Sequence, residues 1–168
     1  INKSESNEEK LYQIEQYLDN IIMMIYTSTM MAEFELSMYQ KVENGEPLSA
    51  NYLCEMYGGL LSEYYGSNIC ITDSDKYAWL EYPHYYLDYY LYSYATSFSA
   101  SIQIASNIYT EGEPAVKRFI DFLEAGTSEY PVDVIKKAGV DLTTQQPYEA
   151  VANKMNELMD EMEQLLSD

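Results

Sequence analysis

Apolar residues recur every three or four positions over most of the chain, the spacing that places side chains on one face of an α-helix. The longest such pattern covers residues 11–38 and ends at Asn44-Gly45. It follows Ser6-Asn7-Glu8-Glu9, which has the S-x-x-E form of a helix-capping box. Around residues 21–31 apolar side chains surround the helix almost completely, which predicts burial on several sides.

The rest of the chain predicts more helices, each bounded by glycine or proline. Ser49 is expected to cap a helix that ends at Gly66, and a short helical segment is expected to follow Ser74. The later helices are expected at residues 86–110, 113–125 and 131–138, and from about residue 147 onward. Residues 69–72 are the one weak strand candidate, and no internal repeat is visible. The predicted fold class is all-α, with residues 1–168 forming a single helical domain.

Charge excludes two classes of function. The 168 residues include 28 acidic and 9 basic side chains, for a net charge of −19. Phosphate backbones and anionic lipid surfaces both require Lys and Arg, so neither nucleic acid nor a membrane is an expected partner. The longest apolar run, residues 21–26, is too short to span a bilayer.

The cysteines and the chain start bear on the compartment. Cys54 and Cys70 lack the spacing of a metal site, and free thiols are favoured over the alternative of a single disulfide. No secretory signal is visible at the start, where the first residue is Ile1. These features indicate a cytoplasmic protein.

Tyrosine is the unusual residue, with 19 copies, of which seven fall in residues 82–94 around the single histidine, His84. If this segment is helical, Tyr85, Tyr89 and Tyr92 share one face, and Tyr86, Tyr90 and Tyr94 lie alongside it. A buried phenol needs a hydrogen-bond partner, so such a column suggests a cleft whose donors polarise a carbonyl group. The alternative is that these tyrosines are amphipathic residues of the interior and its rim.

Other polar motifs are less informative. Glu33 and Glu35 are two residues apart and face different sides of a helix, so both are interpreted as solvated or capping acids. The acidic run at residues 157–163 is interpreted as a solvated face. A single histidine cannot build a His-x-x-x-His zinc pair, and neither a glycine-rich phosphate loop nor a G-x-S-x-G motif occurs.

Several motifs together resemble the zinc oligopeptidases of the oligoendopeptidase F and thimet oligopeptidase type. They are Tyr17-Leu18-Asp19-Asn20-Ile21, Met31-Ala32-Glu33-Phe34-Glu35, Pro83-His84-Tyr85-Tyr86, the segment 90–100, Phe122-Leu123-Glu124-Ala125-Gly126, and Lys137-Ala138-Gly139-Val140-Asp141. The resemblance covers essentially the whole chain, in order. It implies the multi-helix C-terminal part of a zincin-like catalytic domain, with Ile1 in the loop after the helix of the third zinc ligand.

The resemblance also implies roles for residues. In such enzymes zinc is bound by a His-Glu-x-x-His helix and a later glutamate, upstream of this segment, so no metal ligand is expected in this chain. His84 and Tyr92 match the histidine and main tyrosine that hold the peptide carbonyl. Tyr85 and Tyr89 fit the thimet pattern, whereas Tyr86 and Tyr90 fit the oligoendopeptidase F pattern. These four are the expected substrate-binding residues.

Two functional hypotheses follow. In the first, the chain is the substrate-contacting part of a zinc metalloendopeptidase that hydrolyses short peptides, and it is inactive without the missing N-terminal part of the enzyme. In the second, it is a stand-alone acidic helical module that binds a protein through its tyrosines. Self-association through exposed core surface is a further expectation for an isolated part.

Overall fold

The computed structural model describes residues 6–67 and 69–167, so the predicted place of Ile1 lies outside the described residues. The described chain forms α1 Asn7–Ile21, α2 Ser28–Glu43, α3 Ala50–Tyr65, α4 Tyr92–Glu111, α5 Glu113–Ala125, α6 Pro131–Lys137 and α7 Gln146–Ser167. A π-helical segment, Ile22–Thr27, joins α1 to α2, and two 3₁₀ helices, Asp75–Glu81 and Pro83–Tyr86, precede α4. Over the described ranges no strand forms, 69–72 included, which confirms the all-α prediction.

The predicted helix ends are confirmed at their caps. The Ser6 and Ser49 hydroxyl oxygens each accept a hydrogen bond at 3.2 Å, from the N–H groups of Glu9 and Tyr52. These bonds satisfy backbone donors that the first turn of a helix leaves unpaired. At the C-terminal end of α3, Gly66 has a φ of 71°, a conformation that glycine adopts without steric cost.

The π-helical segment was not predicted, and burial on several sides around it is wrong in part. Ile21, Met30 and Met31 are buried, but Met23 and Tyr26 are exposed. In a π-helix the hydrogen bonds span five residues instead of four, so successive side chains turn through a different angle. A pattern interpreted with 3.6 residues per turn therefore assigns the wrong face to these positions.

Residues 6–22 and 96–167 form one compact unit, called the terminal unit below. Within it α1 packs against α7 and α5 packs against α6. Ile14 and Ile21 of α1 and Leu158 of α7 are almost fully buried. The predicted helices at 113–125 and 131–138 are confirmed here as α5 and α6, with α6 one residue shorter.

Residues 23–67 and 69–95 form a second compact unit, called the central unit. α2 packs against α3, and α3 packs against the 3₁₀ helix Asp75–Glu81. The core of the unit consists of Met30, Met31, Phe34, Leu53, Tyr57, Leu60 and Leu91. The Phe34 ring is fully buried, and its centroid lies 5.1 Å from that of Tyr57 and 6.1 Å from that of Trp79.

The segment before α4 departs from the prediction of a helix starting at residue 86. α4 begins at Tyr92, and residues 87–91 form a non-helical turn in which Asp88 and Tyr89 have φ values of 42° and 58°. Left-handed residues cannot continue a right-handed helix. The expectation that Tyr85, Tyr89 and Tyr92 share one helix face is therefore wrong.

Two further expectations concern the cysteines and the membrane. Cys54 is buried and Cys70 is exposed, and both are free thiols, as favoured from the sequence. Within the described ranges, no helix combines the length and the apolar character needed to cross a membrane.

Candidate functional site

The predicted site residues all lie in the central unit, on three consecutive pieces of chain. His84, Tyr85 and Tyr86 lie on the 3₁₀ helix Pro83–Tyr86, which has Pro83 in its first turn. Tyr89 and Tyr90 belong to the turn at 87–91, and Tyr92 is the first residue of α4. A short helix, a left-handed turn and a helix start therefore take the place of the expected single helix.

His84 lies against two tyrosines. The Tyr90 ring stacks on the imidazole with ring centroids 5.9 Å apart and planes 11° apart. The Tyr94 ring meets the imidazole edge-on, and its hydroxyl oxygen lies 3.5 Å from His84 Nε2, at the outer limit of a hydrogen bond. His84 Nδ1 is buried and has no hydrogen-bond partner among the described residues. The histidine is thus held on two sides and retains an unused ring nitrogen.

Tyr94 was not among the predicted site residues, although it lies in the same tyrosine-rich segment. Its ring packs edge-on against Tyr90 with centroids 5.3 Å apart. A side-chain hydrogen bond with Tyr90, followed by burial, raises the pKa of the Tyr94 phenol. The phenol is therefore protonated at neutral pH and can act as a donor. The signal in the sequence that could have identified Tyr94 is its position four residues after Tyr90.

Tyr85 belongs to the interior of the central unit. Its ring packs edge-on against Phe34 and Tyr82, with centroid distances of 5.3 and 6.5 Å. Its hydroxyl group is buried and has no hydrogen-bond partner in the part of the chain that the structure describes. Burial raises the pKa of this phenol well above its usual range, so it stays protonated. The structure thus places the Tyr85 ring in the core and leaves its hydroxyl unmatched there.

Tyr86 and Tyr92 are directed outward. Tyr86 is 88% exposed and Tyr92 is 56% exposed, whereas Tyr90 is 42% exposed. Contiguous exposed aromatic rings are typical of surfaces that bind a ligand or a partner. The outer face of the segment therefore consists of phenol groups accessible to a ligand.

Tyr89 contacts α2 through both its ring and its main chain. The Tyr39 ring packs against the Tyr89 ring with centroids 4.7 Å apart. The Tyr89 N–H donates a hydrogen bond of 2.8 Å to Glu35 Oε1. Tyr39 also donates its hydroxyl to Asp88 Oδ1 at 3.2 Å. Two α2 residues one turn apart therefore hold the turn that carries Tyr89.

Glu35 is the polar residue whose environment differs most from the sequence-based expectation. The sequence suggested a solvated or capping acid, but the side chain is completely buried. Burial raises the pKa of the carboxyl group, while the hydrogen bond from the Tyr89 N–H to Oε1 opposes this rise. The other oxygen, Oε2, has no hydrogen-bond partner among the described residues. Glu33 is exposed, as expected, and accepts a 2.8 Å hydrogen bond from the Tyr64 hydroxyl. The different helix faces predicted for the two acids are thus confirmed.

The segment offers imidazole and phenol donors. Among residues 6–67 and 69–167, no group of three or more His, Cys, Asp or Glu side chains is arranged to hold a metal ion. The described residues therefore do not fit a zinc centre of their own. Their chemistry is hydrogen-bond donation to an oxygen atom, together with aromatic contact.

Comparison with known proteins gives this arrangement its context. The sequence model of "Peptidase family M3" matches residues 1–154. The chain belongs to peptidase family M3. Among its M3 relatives, "Oligopeptidase PepF" of Bacillus subtilis (strain 168) is 42% identical over 166 residues, which cover 99% of this chain and 25% of that protein. "Group B oligopeptidase PepB" of Streptococcus agalactiae is 35% identical over 92% of this chain and 26% of its own length.

The fold of this M3 chain also matches a solved structure. The crystal structure of oligoendopeptidase-F from Enterococcus faecium superposes with a TM-score of 0.93 and 34% identity, covering 99% of this chain and 32% of that one. The resemblance to oligoendopeptidase F is therefore confirmed. The chain spans about a quarter of the length of PepF and of PepB.

Proposed function

We propose that this chain is the substrate-contacting, C-terminal part of an M3 zinc metalloendopeptidase that hydrolyses short peptides. The observation that carries the proposal is the His84 ring, held between Tyr90 and Tyr94 with Nδ1 unpartnered. A buried polar atom without a partner is costly, and a ligand that supplies the partner removes the cost. The family membership supports a peptide as that ligand.

His84 and Tyr92 carry the central roles in this proposal. Each donates a hydrogen bond to the oxygen of the scissile carbonyl group, where negative charge develops during hydrolysis. Tyr86, Tyr89 and Tyr90 line the substrate surface, and Tyr85 contributes its buried hydroxyl. Tyr94 orients the imidazole through its edge contact and its hydroxyl, 3.5 Å from Nε2.

The zinc ion that the resemblance implies has no fitting ligand set among the described residues. We assign its ligands to a part of the enzyme beyond them. The role of the present residues is to bind the peptide, orient its carbonyl group and donate hydrogen bonds. On its own the chain is expected to have no peptidase activity.

The test is Tyr92→Phe in the full-length peptidase. Removing one oxyanion donor should lower kcat by about 10²–10³-fold with a small change in KM. Tyr109→Phe is a matched control, because Tyr109 is 92% exposed and lies in the terminal unit. Wild-type turnover in Tyr92→Phe would contradict the assigned role.

A second candidate function is a stand-alone module that binds a protein partner. The observation that favours it is the exposure of Tyr86 at 88% and of its neighbour Leu87 at 56%. The reading frame upstream of Ile1 discriminates between the two. A His-Glu-x-x-His motif there supports the peptidase, and an immediate start codon supports the module.

A further inference from the structure

The turn between His84 and Tyr92 has a conformation that its own sequence does not favour. Asp88 and Tyr89 are both left-handed, with φ values of 42° and 58°. Aspartate tolerates this region moderately, but a tyrosine rarely adopts it. Such residues persist only where the surrounding structure holds them. Some contact outside the turn must therefore supply that support.

The Glu35 carboxylate is the contact with the required geometry. It is fully buried, and its Oε1 accepts the Tyr89 N–H at 2.8 Å. The second oxygen, Oε2, is also buried and has no hydrogen-bond partner among the described residues. A single side chain on α2 therefore holds the main chain of the turn at Tyr89.

Two further contacts also hold the turn. Tyr39, four residues after Glu35 on the same face of α2, donates its hydroxyl to Asp88 Oδ1 and packs its ring on Tyr89. Leu91 is 3% exposed and belongs to the core with Phe34. The turn is therefore held by a hydrogen bond to its main chain at Tyr89, by a hydrogen bond to the Asp88 side chain, and by the buried Leu91 side chain at its end.

The position of Glu35 in the chain suggests its function. The turn is the only covalent link between the helix that carries His84 and the helix that Tyr92 begins. We propose that Glu35 is a positioning residue, whose buried carboxylate accepts the main-chain hydrogen bond of residue 89 and so sets the spacing of His84 and Tyr92. This inference rests on the proposed function, because the spacing matters only if both side chains meet the same substrate.

The test compares three variants in the full-length peptidase. Glu35→Leu keeps the size of the side chain and removes the acceptor, and Glu35→Gln retains a carbonyl oxygen in place of Oε1. Glu33→Gln is the matched control, because Glu33 is an exposed acid on the same helix. Hydrogen exchange of peptides covering residues 85–92 reports the turn, and steady-state kinetics report kcat and KM separately.

In Glu35→Leu we expect exchange in residues 87–91 to accelerate at least tenfold while α2 and α3 keep their protection. We expect kcat to fall by roughly tenfold to a hundredfold, since misplacing a reacting group by about 1 Å has an effect of that size. Glu35→Gln should recover most of the loss, and Glu33→Gln should match the wild type. If Glu35→Leu does not fold, Glu35→Asp takes its place, because its carboxylate is one methylene too short to reach Tyr89 N–H.

Two results would overturn the inference. One is unchanged exchange in the turn when the acceptor is removed or shortened. The other is a Glu35→Gln enzyme as impaired as Glu35→Leu, which would assign the effect to charge. The Tyr92→Phe measurement separates this failure from failure of the proposed function, because it tests the donor and leaves the turn intact.

Discussion

Phe34 is the side chain on which the central unit depends most, and its replacement gives the sharpest test of the fold. The ring is completely buried and contacts the rings of Tyr57, Trp79 and Tyr85. Phe34→Ala removes the ring and leaves a cavity between α2, α3 and the two 3₁₀ helices. Phe34→Leu is a milder change, because it keeps most of the volume and loses only the aromatic contacts.

The expected magnitudes follow from these contacts. Replacing a buried phenylalanine by alanine costs about 3–5 kcal/mol of unfolding free energy. Aromatic pairs contribute roughly 0.5–1.5 kcal/mol each beyond the buried area, and Phe34 makes three. We therefore expect about 4–5 kcal/mol for Phe34→Ala. For Phe34→Leu, a substitution of similar volume, we expect about 1–1.5 kcal/mol.

Trp79 provides the assay, because it is the only tryptophan in the sequence and lies in the central unit. Its fluorescence during urea unfolding reports this unit directly. With a denaturant slope of about 2 kcal/mol per molar, Phe34→Ala should lower the midpoint by about 2 M and Phe34→Leu by about 0.5–0.7 M. Tyr86→Ala is the control, expected within about 0.5 kcal/mol because the ring is 88% exposed. A Phe34→Ala midpoint within about 0.3 M of the wild type would refute the packing argument.

Two further predictions concern a cap and a carboxylate. Ser49→Ala removes the acceptor for the Tyr52 N–H and should cost about 1 kcal/mol of unfolding free energy, measured by Trp79 fluorescence; an unchanged midpoint would mean that the cap is not used. Hydrogen bonds from Lys136 and Thr143 lower the pKa of Asp141 to about 2 from 3.8. The stabilisation from this carboxylate is therefore present above pH 3.8 and is lost as the pH falls towards 2. In Asp141→Asn the melting temperature should therefore fall less steeply with pH over this range than in the wild type. The same pH dependence in the variant and the wild type would refute the assignment.

Local signals in the sequence were sufficient for most helix boundaries. The S-x-x-E box at Ser6 and the serine at position 49 cap helices as expected, and Gly66 and Gly126 end them. Each of these signals acts within one helical turn, so the local sequence contains all the information required. The same holds for Pro114 and Pro131, which lie in the first turns of α5 and α6.

The segment before α4 could not be predicted in this way. Its main chain is held by Glu35, which lies 54 residues earlier in the sequence. A contact between residues so far apart produces no local pattern of apolar and polar positions in the sequence. A lone glutamate in a helix also normally faces solvent. The tyrosines near His84 were therefore assigned to a helix face that does not exist, although Tyr90 and Tyr94 do contact the imidazole. The π-helical segment was missed because its apolar residues are compatible with an ordinary α-helix.

The hydrogen bond between Glu35 and Tyr89 recognises a peptide N–H, a group that every amino acid except proline possesses. This hydrogen bond does not depend on which side chain residue 89 carries, because the donor is a main-chain group. Replacing the Tyr89 ring therefore leaves this hydrogen bond in place, although it removes the contact with the Tyr39 ring. The side chain and the main chain of residue 89 are thus held by different partners on α2, and proline is the one replacement that would remove the main-chain hydrogen bond.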